Sequence, residues 1–94
     1  MSNKVEIELP ENLTIAKIHA FHETLETAVN DAKSDEFVLL SKNVVRTDTS
    51  GIQLLHAFVN EAHERRIKVT WDAPSEPLLT AASILGVKGS LGIH

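Results

Sequence analysis

The spacing of apolar residues changes several times along the chain, and this alternation restricts the fold more than any other feature of the sequence. Val5, Ile7 and Leu9 alternate with glutamates, which predicts a strand with one solvated face that ends at Pro10. The spacing then lengthens to three and four residues, which predicts a long amphipathic helix ending near Lys33. The apolar stripe of this first helix consists of Ile15, Ile18, Phe21, Leu25, Val29 and Ala32.

Two further segments have the patterns of strands. The uninterrupted apolar run 37–40 is typical of a strand buried on both faces, as in a parallel sheet covered by helices. Ile67, Val69 and Trp71 alternate with polar residues and predict another strand. We interpret Trp71 as a core residue because it falls on the same side of the strand as the apolar Ile67 and Val69. The alternative is that Trp71 anchors an interface with another protein.

Two more helices are predicted between and after these strands. The second helix follows the polar turn 47–51 and closes around Arg65 and Arg66, where cations complement the helix C-terminus. The third helix begins at the N-cap candidate Ser75 and stops at Gly86, and the remaining tail either adds a short strand or frays. The apolar stripes are Ile52, Leu55, Phe58, Val59 and Ala62 for the second helix, and Leu78, Ala82 and Leu85 for the third.

Helices thus alternate with strands, which predicts an α/β layer fold with right-handed crossovers. The length of 94 residues is that of one domain, so we assign residues 1–94 to a single unit without linker or repeat. The expected core contains Ile18, Phe21, Leu25, Val38, Leu40, Leu55, Val59, Val69 and Leu78.

Composition excludes several classes of function. The chain has no cysteine, so disulfides, thiolate catalysis and cysteine-ligated zinc are excluded. Its net charge of −4 argues against a nucleic-acid binder, which needs a basic stripe. No apolar run approaches the roughly 18 residues that a membrane span requires, and no signal peptide is visible. We therefore expect a cytoplasmic protein without direct membrane insertion.

The turn Asp48-Thr49-Ser50-Gly51 at the start of the second helix is the main candidate site. Free N–H groups and the positive end of the helix dipole make such a position favourable for a phosphate. The alternative interpretation is purely structural, because Asp, Thr and Ser cap helices in many proteins. Gly51 removes a side chain where a kinase or partner must approach.

Enzymatic and metal-binding interpretations have weaker support. The motif resembles the Asp-Thr-Gly of aspartic proteases, but those are mostly β-proteins in which two carboxylates share a proton. No Gly-x-Ser-x-Gly elbow is present. His19 and His22 could share a helix face with Glu26, and His56 and His63 could share another with Asn60, but none has a zinc-binding pattern. We expect no enzyme, no metal and no cofactor.

The stretch 38–87 resembles the STAS family, which includes anti-sigma-factor antagonists. A buried strand leads into Asp48-Thr49-Ser50-Gly51-Ile52 and a helix, and the short helix ending Ile84-Leu85-Gly86-Val87 follows. The stretch 9–15 before the first helix resembles a subgroup of bacterial members. The resemblance implies a single STAS domain with a mixed central sheet of about four strands and three to four helices. Its usual extra N-terminal strand is reduced or missing here.

The resemblance also implies a function, namely protein–protein regulation by partner switching. The hydroxyl after the motif aspartate accepts phosphate in this family, and here it belongs to Thr49, with Ser50 as the less favoured acceptor. The implied partners are an anti-sigma serine/threonine kinase of the histidine-kinase-type ATPase fold and a cognate phosphatase. The alternatives are a constitutive accessory subunit bound to the ATPase of a phospholipid-transport ABC complex, or an adaptor associated with chemotaxis proteins.

The partner surface is expected at the tip and exposed face of the second helix. If Ile52, Leu55 and Val59 face the sheet, the residues of the opposite face are available for docking. The loop around Lys42 and Asn43 is expected to contribute. The predicted partner-binding residues are Asp48, Thr49, Ser50, Gly51, Gln53, His56 and Asn60.

Overall fold

A computed structural model of the chain describes residues 4–30 and 35–93. The three strands and three helices that the spacing of apolar residues predicts are present and alternate along the chain. The elements in chain order are β1 (Lys4–Glu8), β2 (Asn12–Leu13), α1 (Ile18–Asn30), β3 (Glu36–Leu40), β4 (Arg46–Thr47), α2 (Thr49–Glu64), β5 (Lys68–Asp72), α3 (Glu76–Ile84) and α4 (Lys88–Leu91).

The central sheet has the strand order β1-β3-β5, and both pairs are parallel. Ile7 lies beside Leu39, and Leu39 lies beside Trp71. A helix connects each strand to the next, and such a crossover makes neighbouring strands parallel. The predicted α/β layer architecture is confirmed. In the described ranges, however, the sheet is parallel and three-stranded, not the mixed sheet of about four strands that the resemblance implies. β2 and β4 form a separate parallel pair.

The helices cover only one face of this sheet. Phe37 and Leu39 on the central strand are fully buried, whereas Val38 and Leu40 between them are half-buried. The strand neighbours on the side of Val38 and Leu40 are mostly charged and exposed, which leaves this face open to solvent. The prediction that β3 is buried on both faces, with Val38 and Leu40 in the core, is therefore wrong. An apolar run alone does not reveal which faces are covered.

The remaining core predictions are largely confirmed. Five of the expected residues are buried, and Ile18 and Val69 are half-buried. The whole predicted stripe of α2 is buried, from Ile52 to Ala62. Two rings contact each other inside the core, with the centroids of Phe37 and Phe58 separated by 5.3 Å. The five confirmed core residues are Phe21, Leu25, Leu55, Val59 and Leu78.

The first helix begins later than its apolar spacing predicts. Ile15 is 73% exposed, because residues 14–17 form a turn in which Lys17 N–H donates to Thr14 O, and α1 begins at Ile18. Its predicted end near Lys33, and the stripe position Ala32, lie outside the described residues. Phe21, Leu25 and Val29 keep the predicted apolar face.

The C-terminal part folds as two helices. Ser75 caps α3 as predicted, since its hydroxyl accepts the N–H of Leu78 at 3.3 Å. Leu78 and Ala82 are buried, but Leu85 is 41% exposed and does not belong to the core stripe. The tail forms α4 and adds no strand among the described residues. The indole of Trp71 donates to Leu91 O at 2.8 Å and connects this tail to β5.

Candidate functional site

The short β2–β4 ladder positions the motif aspartate. Leu13 pairs with Thr47, and the next residue along, Asp48, donates its backbone N–H to Leu13 O at 3.1 Å. The start of α2 is thereby held against the segment that precedes α1. Sequence patterns did not indicate this ladder, because two-residue strands are too short to show a period.

The carboxylate of Asp48 joins two elements. One oxygen accepts the N–H of Gly51 at 3.0 Å, which is the usual N-cap bond of a helix. The other accepts the N–H of Ile15 at 3.0 Å, from the loop before α1. The hydrogen bond from Ile15, followed by that from Gly51, lowers the pKa of Asp48 below its ordinary value. The aspartate therefore caps α2, as the structural alternative for the motif expects, and also connects the loop before α1 to the first turn of α2.

Gly51 is buried, and its lack of a side chain has an internal cause. A Cβ at this position would lie 2.1 Å from Leu13 O and 2.9 Å from the Leu13 Cβ. Any side chain would thus overlap the backbone of β2. The expectation that Gly51 is a glycine to admit a kinase or partner is replaced by this packing reason. Direct contact of Gly51 with a partner stays a prediction.

Thr49 is the first residue of α2 and is exposed, whereas Ser50 is half-buried. The Thr49 hydroxyl makes no hydrogen bond to any residue in the described ranges. Of the two candidate phosphate acceptors, Thr49 is the more accessible to another protein. Its position at the N-terminus of a 16-residue helix puts it at the positive end of the helix dipole.

A surface groove of about 410 Å³ extends from Thr49 along α2. Four of the predicted partner-binding residues line it, namely Thr49, Gln53, His56 and Asn60. The Asn60 amide and His56 Nδ1 are 3.4 Å apart. We call this feature the α2 groove. It is also lined by Ile52, Ala57, Leu85 and Val87.

The apolar wall of the α2 groove was missed by the sequence reasoning. Leu85 and Val87 come from the segment after α3, and the neighbouring Ile84 is 78% exposed. Ile84 and Leu85 are adjacent in sequence at the end of a helix, so both cannot share the narrow buried face defined by Leu78 and Ala82. That adjacency is the signal that could have indicated an exposed apolar patch.

The other predicted site residues lie elsewhere. Lys42 and Asn43 are exposed and line a different cleft, together with Glu8 and Leu40. The side chains of His22 and Glu26 pair at 3.0 Å on the surface of α1. Among the described residues, no three His, Cys, Asp or Glu side chains come together as a metal site would require.

No helix within residues 4–30 and 35–93 is both long enough and apolar enough to cross a membrane.

Comparison with known proteins identifies the family to which this chain belongs. The family model described as "Mlab, STAS domain" matches residues 1–93, and the chain therefore belongs to the STAS family. STAS domains are in general non-enzymatic domains that bind other proteins. A search of curated protein sequences gave no significant match.

Two solved structures share the fold. A sulfate transporter family protein from Wolinella succinogenes superposes with a TM-score of 0.79 at 18% identity, covering 95% of this chain and 71% of the other. The anti-sigma factor antagonist SpoIIAA, in its unphosphorylated form, gives a TM-score of 0.75 at 16% identity, with coverages of 95% and 77%. At these identities the likeness extends to the fold.

Proposed function

We propose that this STAS domain docks onto a regulatory protein through the α2 groove and is released when Thr49 is phosphorylated. The observation that carries the proposal is the exposed Thr49 hydroxyl at one end of a groove that continues along Gln53, His56 and Asn60. The acceptor and the docking surface are then one continuous site. A modification at Thr49 changes the surface that the partner must cover.

The chemistry of the groove supports a switch of this kind. None of its eight lining residues is Asp, Glu, Lys or Arg, so a partner that fits it meets no carboxylate, ammonium or guanidinium group there. A phosphothreonine adds about −1.5 to −2 charges at neutral pH. Desolvating that anion against a surface without a paired cation costs on the order of several kcal/mol, enough to abolish a micromolar complex.

The fold itself should tolerate the phosphate. The N-terminus of α2 favours an anion, although the neighbouring Asp48 carboxylate opposes it with like charge. The effect of the phosphate is therefore confined to the interface. Thr49→Ala should keep the partner bound, while Thr49→Glu should imitate release only in part, since it has one charge and a different shape.

The proposed partner is an anti-sigma kinase of the histidine-kinase-type ATPase fold, opposed by a cognate phosphatase, in the cytoplasm. The structural likeness to SpoIIAA, an anti-sigma factor antagonist, supports this choice. The test is mass spectrometry of the protein purified from its own host, with the candidate kinase present or deleted. Phosphate on Thr49 that disappears with the kinase supports the switch, and Ser50→Ala is the control that should leave the phosphorylation unchanged.

Phosphate found only on Ser50, or under no growth condition, contradicts the switch and favours a second candidate function. In that alternative, the domain is a constitutive accessory subunit of a phospholipid-transport ABC complex. The description "Mlab, STAS domain" of the matching family favours it, as does the apolar wall formed by Leu85 and Val87. A pull-down from native cells separates the two, because the eluate contains either the kinase-type ATPase or an ABC ATPase.

A further inference from the structure

The outer edge of β1 is an unpaired strand edge in the described part of the chain. β1 is the first strand of the order β1-β3-β5, and it pairs with β3 alone. Leu9 N–H donates to Leu40 O at 3.0 Å, and backbone groups alternate in direction along a strand. The N–H and C=O groups of Ile7 and Val5 therefore also point to β3. Those of Lys4, Glu6 and Glu8 point outward.

The opposite edge of the sheet, formed by β5, has fewer outward-pointing backbone groups than β1. Lys68 N–H donates to Asp35 O, at 3.0 Å, and Ser41 N–H donates to Asp72 O, so Lys68 and Asp72 point inward toward β3. Only two residues of β5 then point outward, Val69 and Trp71. The Trp71 side chain is in addition hydrogen-bonded to Leu91 O in the C-terminal segment. β1 has three outward-pointing residues and is the more complete template for another strand.

The side chains of β1 match those of a second β1 running in the opposite direction. A two-fold axis at Glu6 places Lys4 opposite Glu8 of the second copy, and Glu8 opposite its Lys4. These are hydrogen-bonded pairs, because the backbone groups of Lys4, Glu6 and Glu8 all point outward. On the other face, Val5 meets Ile7 of the second copy. Val5 is 39% exposed at this edge, so the pairing covers an aliphatic side chain that the monomer leaves open.

We propose that β1 is a self-association edge, at which two copies of this chain join antiparallel to form one six-stranded sheet. Charged edge strands usually prevent such pairing, but here the order of the charges, Lys4 then Glu8, is complementary to itself. The two Glu6 side chains face each other at the axis and weaken the contact. The product is a reversible dimer that forms at high concentration.

The dimer leaves the α2 groove accessible. Helix α2 packs against β5, which forms the opposite edge of the sheet from β1. Both copies can therefore bind a partner at the same time. The self-association is also independent of the proposed phosphorylation at Thr49, so the failure of one proposal does not affect the other.

Sedimentation equilibrium on the full chain, from low micromolar to about 1 mM, tests the proposal. The wild type should show a monomer–dimer equilibrium. Lys4→Glu or Glu8→Lys alone turns both Lys–Glu pairs into like-charge pairs and should weaken the dimer roughly tenfold. The double variant Lys4→Glu/Glu8→Lys restores both pairs and should return the dissociation constant to within about threefold of wild type.

A cross-linking experiment tests the position of the axis. Because the chain has no cysteine, Glu6→Cys introduces a single thiol, and the paired Cα atoms would lie about 5.5 Å apart, within disulfide range. Oxidation should link Glu6→Cys much faster than the control Glu64→Cys, which is exposed at the end of α2. A wild type that stays monomeric throughout, single charge reversals without effect, or equal cross-linking of the two variants would each overturn the proposal.

Discussion

The backbone N–H of Ile15 donates a hydrogen bond to the carboxylate of Asp48, at 3.0 Å, across 33 residues of sequence. The same carboxylate caps α2 through Gly51. Both oxygens are therefore engaged, one by the loop before α1 and one by the first turn of α2. The Thr49 tip is held in place by a contact between distant segments as well as by the helix itself.

Removing the charge of Asp48 should change how stability depends on pH. The pKa of Asp48 is lowered in the folded chain by the hydrogen bonds from Ile15 and Gly51. Its stabilising contribution is complete above the unfolded pKa of about 3.9 and is lost as the pH falls through the lower folded pKa. Asp48→Asn should therefore lower the melting temperature at pH 7 and flatten the fall in stability below about pH 4.

Thermal melts between pH 2 and 7 measure this effect at about half-unit intervals. Asp72→Asn is the control, because Asp72 is exposed and its side chain holds no such pair of backbone donors. An Asp48→Asn profile parallel to that of the wild type would contradict the assigned role of the carboxylate.

Gly51→Ala should destabilise the domain. The added Cβ overlaps a backbone carbonyl, Leu13 O at 2.1 Å, and a backbone atom cannot move aside as a flexible side chain can. Overpacking of this kind costs about 1–3 kcal/mol or more in the free energy of unfolding. Gly89→Ala is the matched control, since no atom lies within 4 Å of its new Cβ, and it should change stability by less than about 0.5 kcal/mol. Urea unfolding distinguishes the two, and equal losses would contradict the close approach.

Two leucines should respond differently to truncation. Leu55 is fully buried on α2, so Leu55→Ala should lower the free energy of unfolding by about 2–5 kcal/mol. Leu85 is 41% exposed in the wall of the α2 groove, so Leu85→Ala should cost less than about 1 kcal/mol but weaken partner binding. Chemical denaturation and a binding titration measure both quantities. A loss below about half a kcal/mol for Leu55→Ala would mean that the buried face of α2 is assigned incorrectly.

Introducing a charge into the α2 groove should affect binding alone. Gln53 is exposed there among lining residues that include no Lys or Arg, so Gln53→Glu places a carboxylate without a lysine or arginine partner at the docking surface. Binding to the partner recovered by pull-down should weaken at least about tenfold, while the melting temperature changes by less than about 4 °C. Asn30→Asp makes the same amide-to-acid change on α1, outside the groove, and should leave binding unchanged. If binding survives changes at both Gln53 and His56, the interface lies elsewhere.

The elements that were predictable from the sequence are those with a long, regular apolar spacing. The buried stripe of α2, from Ile52 to Ala62, follows directly from its spacing, and Ser75 follows from cap preference. The exposure of Ile15 could not be predicted, because its spacing continues that of α1 while the chain around it forms a turn. Local pattern does not determine where a helix starts when a tertiary contact, here Ile15 with Asp48, selects the turn.

Which face of the sheet is covered by helices, and which residues line the α2 groove, also depend on the tertiary arrangement and not on local sequence pattern alone. Val38 and Leu40 look like core residues, and only the placement of every helix on the other face leaves them half-buried. Thr49, Gln53, His56 and Asn60 were found because they share one helix face. Leu85 was not found, because it approaches that face from a segment more than 20 residues further along the chain. The spacing of residues in a single sequence does not indicate that these two segments are close in space.

Because Trp71 is hydrogen-bonded to Leu91, its fluorescence is a probe of whether the C-terminal segment is attached to the sheet. Trp71 is the only tryptophan, and the chain has no tyrosine, so the indole emission arises from one ring and does not overlap with tyrosine emission. That ring is half-buried on β5, and its N–H is directed at the carbonyl of Leu91 in α4. Detachment of the C-terminal segment would therefore expose the indole to water and shift its emission before the sheet itself separates. The stability of the tail can be followed separately from that of the domain, without a label.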